Sequence, residues 1–320
     1  MFFSIIIPVY NRPEEVQDLL TTIASQTFVD FEVLVIEDGS ALTAEEVCNQ
    51  FNPRFALRYF YQKNSGQGFA RNIGMNQAKG EFFVILDSDV LLPEKYLEIL
   101  FHQIQLRKLD AFGGPDRSDE SFSTLQKAMD FAMTSFWTTG GIRGKLKDPS
   151  KFQARGFNMG VSKKVFEKIG GFVDPNRGED IEWSIRIKKS GFKLELIEEA
   201  FVYHKRKNTL KSFANQAFSF GQNRVNVSRF HPDAIKVVHL LPSAFLIFLI
   251  SCPFMAIINS QVFITQLILI AGWAGAIWLS SLIKYNSLQV SLLSLLTSFI
   301  QLCSYGAGLV FEWVKKKVVA

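Results

Sequence analysis

Two aspartates one residue apart, Asp87 and Asp89, follow an apolar run, Phe82-Phe83-Val84-Ile85-Leu86. A run of that length reads as a strand buried on both faces, as inside a parallel sheet. Carboxylates at the C-terminal end of such a strand lie where open α/β sheets bind ligands. Together they suit a hard divalent cation, which takes oxygen ligands and commonly binds diphosphate as well. A solvated turn is the other reading of an isolated Asp-Ser-Asp. Upstream, Gly66 and Gly68 precede a helical stretch at 69–78, with Arg71 on its first turn. Glycines entering a helix let the backbone approach a phosphate, with the helix dipole behind it. Arg71 would add a cation there, or simply lie on a surface. Downstream, Glu179 and Asp180 precede a helix at 181–190 that Gly191 closes, and an acid at such a place often caps the helix.

These groups need a scaffold. Residues 2–9, FFSIIIPV, read as a first strand closed by the turn-prone Tyr10-Asn11-Arg12-Pro13. Pro13 with Glu14 and Glu15 suits a helix start. Strands follow at 31–36, which ends in Glu37-Asp38-Gly39-Ser40, and at 57–61, with a helix at 43–51 between them. The β-α-β-α-β order predicts a parallel sheet with right-handed crossovers. Beyond Asp89 the pattern predicts helices at 93–108 and 163–169, and strands at 111–114, 157–162, 192–197 and 200–204. Ile181, Ile185 and Ile187 are expected to face inward. Residues 116–151 are the least legible; 122–137 look helical, and 138–144 form a glycine-rich loop with Arg143 that reads as a mobile lid or an ordinary surface loop.

The 320 residues carry a net charge of +5, and only two acids but five bases follow Pro232. The excess is therefore mostly C-terminal, and no concentrated basic face points to nucleic acid. Three cysteines, Cys48, Cys252 and Cys303, have no metal-like spacing. They suggest neither a disulfide framework nor a zinc site, as expected in a reducing compartment. Residues 1–10 lack the basic start of a signal peptide, and no internal repeat is visible.

Four stretches, IIIPVYNRPE, VIEDGS, NSGQGFARNIGMNQAKGEFFVILDSDV and GEDIEWSIRIKKSGFKL, occur in that order. Over roughly residues 2–230 the chain resembles the family 2 glycosyltransferases. The resemblance implies the nucleotide-diphospho-sugar transferase (GT-A) fold, an α/β architecture with a mainly parallel sheet flanked by helices. It implies a nucleoside site at Pro8, Tyr10, Asn11 and Asp38, with Gly68, Arg71, Asp87 and Ser88 toward the diphosphate. Asp38 would accept a hydrogen bond from a pyrimidine, since a carboxylate accepts and cannot donate; an Asx-turn before Gly39 is the alternative. Glu37 beside it has a structural reading. Asp87 and Asp89 resemble the family's metal pair, holding Mn2+ or Mg2+. His204, ahead of Lys205-Arg206-Lys207, resembles a histidine that some relatives place near the metal; a surface histidine is equally compatible. Asp180, or alternatively Glu179, corresponds to the family's general base, and Trp183 to an aromatic that could equally be core. The donor would be a nucleotide-diphospho-sugar, UDP-linked before GDP-linked, and transfer would invert the anomeric centre. Gln222-Asn223-Arg224-Val225 only faintly echoes the Gln-x-x-Arg-Trp motif of processive relatives, and polymer synthesis is not inferred.

The tail differs in kind. Segments 237–258, 262–283 and 288–311 hold no Asp, Glu, Lys or Arg, and each is long enough to cross a hydrocarbon core of about 30 Å. The expected organisation is a catalytic domain at 1–232 (a nucleotide half at 1–114, an acceptor half at 115–232) and a membrane domain at 233–320. Residues 210–229 suit an amphipathic helix at the membrane interface. With the catalytic domain cytoplasmic, two crossings are expected: Pro242 and Pro253 let the first segment lie in the interface or re-enter, which keeps Lys315-Lys316-Lys317 inside. Three crossings are the alternative. A membrane anchor fits a lipid-linked or envelope-glycan acceptor. Rival readings are transfer to a polyprenyl phosphate, and a non-catalytic scaffold that binds nucleotide sugar.

Overall fold

The first strand, β1 (Phe3–Val9), is buried at every position because it has an apolar core on each face. Phe3, Ile5, Ile7 and Val9 enter one core and Ile6 the other. The strand carrying the aspartates, β4 (Phe82–Leu86), alternates in the same way: Phe82, Val84 and Leu86 against Phe83 and Ile85. Each large apolar side chain so buried contributes about 1.5–3 kcal/mol. With both faces apolar, polarity alone would not fix the register. Ser4 supplies the missing mark, because its hydroxyl donates to Glu32 of β2 (Phe31–Asp38) at 2.8 Å. Glu32 also receives Arg58 of β3 (Leu57–Gln62) at 2.7 Å.

A computed structural model describes residues 1–117, 122–139, 152–204 and 209–319. The chain divides into two compact units. The first, Met1–Asp119 with Asp148–Lys205, is built on a seven-stranded sheet in the order β3-β2-β1-β4-β8-β6-β9. The β1–β4 portion is parallel, connected through α1 (Pro13–Ala24), α2 (Glu45–Phe51) and α3 (Gln67–Gln77). Next to β4, β8 (Asn158–Ser162) runs antiparallel, then β6 (Ala111–Gly113), with β9 (Leu194–Leu196) parallel to β6. Because β1, β2 and β4 are parallel neighbours, their C-terminal ends carry Tyr10-Asn11, Asp38 and Asp87 to one edge of the sheet.

A second, three-stranded sheet orders β5 (Val90–Leu91), β10 (Val202–His204) and β7 (Asp116–Arg117). Two-residue strands have no readable period, so β5 and β7 are absent from the sequence reading. The helices α4 (Tyr96–Arg107), α7 (Lys163–Ile169) and α8 (Glu179–Lys189) complete this unit. Helix α8 begins two residues earlier than its apolar pattern suggests, and Ile185 is only half-buried rather than inward-facing. Trp183 is core: it packs on Phe172 with centroids 4.4 Å apart and donates to the Gly170 carbonyl at 2.9 Å.

The second unit, Glu120–Lys147 with Arg206–Ala320, is helical among its described residues. It holds α5 (Thr124–Thr134), α6 (Phe136–Thr139), α9 (Leu210–Val227), α10 (Val237–Ile258), α11 (Ser260–Tyr285) and α12 (Leu288–Val319). The described residues 122–139 thus fall in the second unit, with the helical tail. Packing explains this. Thr297 of α12 donates to the Ala128 carbonyl (2.9 Å), and buried Asp130 receives Lys284 (3.3 Å) and the Tyr285 hydroxyl (3.0 Å). The apolar face of α9 is occupied by α12: a Cβ on Gly221 or on Gly308 would collide with the other helix's backbone. Helix α10 continues unbroken through Pro242 and Pro253. Helices α10, α11 and α12 are each long and apolar enough to cross a membrane, which fits the expected C-terminal anchor.

Candidate active site

Arg71 is the centre of the site. It lies on α3, is 1% exposed, and bonds two carboxylates from distant parts of the chain: Asp87 Oδ1 (2.7 Å) beyond β4 and Glu179 Oε1 (3.0 Å) on α8. Its guanidinium also lies over the Phe172 ring, 5.4 Å from the centroid. Gly156 makes room for it, because a Cβ there would sit 2.7 Å from Arg71 Nη2. The Gly156 N–H donates to Asp180 Oδ2 at 3.2 Å. The first turn of α8 therefore meets the turn after β4 through one arginine and one glycine. The sequence reading aimed Arg71 at a phosphate; the structure places it among carboxylates, the natural partner of a fully buried guanidinium.

The cap of α8 is Gly178, with φ +80°, so neither Glu179 nor Asp180 is the N-cap. Both point from the first turn. Glu179 is buried and also receives Gln67 Nε2 at 2.6 Å. Asp180 is partly exposed, and its other oxygen accepts from the Ile181 N–H at 2.7 Å. Burial and the neighbouring charge of Asp180 push Glu179 up to about 7, against the pull of Arg71. A carboxyl whose folded pKa lies above its unfolded value stabilises the fold below the unfolded pKa. That contribution is lost as pH rises from about 4.5 through 7. Thermal unfolding of the detergent-solubilised protein is expected to show this loss, on the order of 3 kcal/mol, between pH 5 and 8. Glu179→Gln is expected to flatten it; an unchanged pH profile would mean that Glu179 is ionised throughout.

Asp89 is bound to Arg12, whose Nη1 lies 2.8 Å from Asp89 Oδ2. Arg12 stands in the turn after β1, where the sequence marks it only as part of a turn. Ser88 between the two aspartates is buried. Asp87, Asp89 and Asp180, with Glu179 adding its charge as pH rises through about 7, outnumber the two positive charges of Arg12 and Arg71. The negative excess and the hard oxygen donors fit a divalent cation. Among the described residues no three His, Cys, Asp or Glu converge on one point. The protein would offer at most the two aspartates, with phosphate oxygens and water completing the shell, which is how Mg2+ is commonly held. The expected metal role of His204 falls on a side chain outside the described residues; its backbone pairs with Val90, one residue beyond Asp89. Lys205, Arg206, Lys207 and residues 140–144 of the glycine-rich loop, Arg143 included, also lie outside them.

The residues expected to hold the nucleoside lie at the ends of β1 and β2. Asp38 is buried and accepts from the N–H groups of Ser65 (2.8 Å) and Gly66 (2.9 Å) and from Gln62 Nε2 (2.6 Å). It anchors the loop leading to α3. Glu37 accepts from Ser40 Oγ, the Ala44 N–H and the Tyr59 hydroxyl, a structural role. Asn11, with φ +54°, accepts from the N–H groups of Ala41 and Leu42 at 2.8 and 3.0 Å. Pro8 is buried in β1, while Tyr10 is 53% exposed. Gly68 donates its N–H to the Pro175 carbonyl (2.8 Å), and a Cβ there would sit 2.5 Å from the Asp174 carbonyl. That glycine serves close packing against 174–175. Besides Arg12, the sequence reading missed Gln67 and gave Gly156 no role. No pattern marks Gln67, whereas the glycine in Arg155-Gly156 is a visible sign of close approach.

The family model "Glycosyl transferase family 2" matches residues 4–170, just over half of the chain. The chain belongs to glycosyl transferase family 2. This family 2 glycosyltransferase is 26% identical over 215 residues to glycosyltransferase GlyG of Streptococcus pneumoniae serotype 4, covering 64% of this chain and 71% of GlyG. Several other curated glycosyltransferases match over less than two thirds of their own length. Among solved structures, the mannosyltransferase PcManGT of Pyrobaculum calidifontis, in complex with GDP-Man and Mn2+, superposes with a TM-score of 0.62 at 17% identity, over 98% of this chain and 87% of that one. S. aureus TarS 1-349, in complex with UDP-GlcNAc, gives 0.51 at 17% identity, over 99% and 92%. At these identities the likeness is one of fold. The family 2 chain is a glycosyltransferase with the GT-A fold, followed by helices that fit a membrane anchor.

Proposed function

We propose that this glycosyltransferase moves a sugar from a nucleotide-diphospho-sugar to a hydroxyl of a lipid-linked or envelope-glycan acceptor, with inversion, at the cytoplasmic face of a membrane. The observation that carries the reading is the Arg71-centred cluster, which ties Asp87 of the Asp-Ser-Asp turn to the Glu179–Asp180 pair. Donor charge and acceptor proton would thus be handled within one contiguous group of side chains.

Asp87 and Asp89 would hold a divalent cation, which when bound neutralises charge on a leaving diphosphate. Arg71 and Arg12 keep the two carboxylates oriented. Asp180 is the more open of the α8 acids and is free to face an acceptor, whereas Glu179 is committed to Arg71 and Gln67. This favours Asp180 as the general base and Glu179 as the group that fixes Arg71. A base within reach of an acceptor hydroxyl would take its proton as the oxygen attacks the anomeric carbon. Both nucleotide classes occur among the structural neighbours, GDP-mannose in one and UDP-GlcNAc in the other; a UDP-sugar is the donor proposed here. The test is a screen of UDP- and GDP-sugars by nucleotide release, with membrane lipid extract as acceptor. Release that depends on the extract and on one donor supports the reading, whereas release with no donor sinks it.

A further inference from the structure

The helical unit contains two kinds of apolar helix. Little of α10 or α11 is buried, whereas nearly half of α12 is. Helices α10 and α11 meet α12 toward the base of their hairpin, at Ser243–Gly306 and Ser281–Ser294, and the other two helices that cover α12, α5 and α9, are not apolar. Helix α9 runs beside it in parallel: Phe213 packs with Ile300, the Phe218 carbonyl meets Gly308, Gly221 meets Tyr305 and Leu309, and Ser228 meets Lys316. Glu312 is buried in this seam, accepting from Gln222 (3.2 Å) and Arg229 (2.8 Å). Helix α9 carries Lys211, Asn215, Gln216, Gln222, Asn223, Arg224 and Asn226. One Lys or Arg at the bilayer centre costs about 2.5–3.5 kcal/mol on insertion scales, and the amides add to that. Helix α5, bonded to α12 at Thr297, has 11 residues, about 16 Å at 1.5 Å per residue, half a hydrocarbon core.

Neither α5 nor α9 can therefore lie within the hydrocarbon core, and residues 297–316 of α12 lie beside them. What remains, 288–296, spans about 14 Å, too little to cross. By contrast α10 and α11, with 22 and 26 residues, span about 33 and 39 Å. They are joined at Asn259, whose side chain caps α11 by accepting from the N–H groups of Gln261 and Val262. The distribution of bases agrees. Lys236 precedes α10, Lys284 ends α11 and Lys315–Lys317 end α12, while residues 258–261 carry no charge.

We propose that the α10–α11 hairpin is the membrane-crossing element, and that α12 stays with α9 on the catalytic side, in contact with the bilayer surface. All five tail bases then lie on one side and none on the other, as the positive-inside tendency favours. Three crossings would export Lys315–Lys317. A pair made of α11 and α12, the arrangement expected from the sequence, would export Lys284 and drag the α9 seam into lipid. The exposed side of α12 suits an interfacial helix: Leu288, Leu292 and Leu296 recur every four residues, and Trp313 lies near its end with Lys317 Nζ 4.3 Å from the ring centroid.

The proposal rests on the membrane-anchored reading above, and the test separates the two. The full chain, with Cys48, Cys252 and Cys303 replaced by Ala and transfer activity retained, receives single cysteines as Ser260→Cys or as a residue added after Ala320. Sealed spheroplasts and inverted membrane vesicles are then treated with an impermeant maleimide. The expected result is labelling of Ser260→Cys in spheroplasts only, and of the C-terminal cysteine in inverted vesicles only. Labelling of the C-terminal cysteine in spheroplasts would show that α12 crosses. Protection of Ser260→Cys in spheroplasts would show that the hairpin turns back. Either overturns the proposal while leaving the anchor intact, whereas recovery of the protein in a carbonate-washed supernatant would overturn both.

Discussion

Asp180→Asn is expected to lower turnover by roughly 10²–10⁴, the usual worth of general acid–base catalysis, while donor affinity stays near wild type. The geometry explains the separation of the two effects. Asp180 holds the Gly156 N–H at 3.2 Å and the Ile181 N–H at 2.7 Å, and an asparagine carbonyl can replace one of these acceptors. The Asp87–Arg71–Glu179 chain does not pass through Asp180. The donor side should therefore survive the substitution, and single-turnover rates measured beside nucleotide binding would show it. The outcome also distinguishes acceptors. A hydroxyl must lose its proton, whereas a polyprenyl phosphate is already ionised and needs no base. Near-normal turnover of Asp180→Asn would favour the phosphate acceptor. Weakened donor binding with unchanged turnover would assign Asp180 to the integrity of the first turn of α8.

The parts of this molecule that were legible in the sequence are those governed by period and punctuation. Strands β1, β2 and β4 announced themselves as short apolar runs, and the acids at their ends marked the edge where ligands bind. The antiparallel β8 between β4 and β6 was not legible, because strand order depends on contacts far apart in sequence. The small β5-β10-β7 sheet was invisible, since two-residue strands carry no period. Arg71 shows the limit for side chains. Its place after a glycine loop suggested phosphate, but its burial and its partners Asp87 and Glu179 come from segments 16 and 108 residues away. Arg12 was hidden for the same reason, as a turn residue whose partner, Asp89, lies 77 positions later. In the tail, hydropathy found three apolar helices and could not tell which faces lipid. Glu312 lies just outside the uncharged window at 288–311, and only its partners, Gln222 on α9 and Arg229 just past it, reveal that α12 is a packed hub.

Asp89→Ala is expected to abolish transfer, with a loss of roughly 10³-fold or more, since several kcal/mol of charge stabilisation corresponds to that at 1.36 kcal/mol per decade. EDTA should have the same effect reversibly in the unmodified protein. The substitution has a second consequence that must be separated from the first. Asp89 is paired with Arg12 at 2.8 Å, and the Arg12 side chain is 37% exposed. Losing a partly exposed pair costs little stability, of the order of 1 kcal/mol or less, so the fold should persist. Arg12→Gln provides the control: it breaks the same pair while leaving both carboxylates in place. If Asp89 acts by holding a cation, Arg12→Gln should keep a metal-dependent activity, and Mn2+ binding followed by electron paramagnetic resonance should be lost only in Asp89→Ala. Should both variants lose transfer equally with Mn2+ binding intact, the ion pair itself would be what matters. Full activity in EDTA would remove the metal from the mechanism altogether. The excess of acidic groups over the two arginines at the site argues for the first of these outcomes.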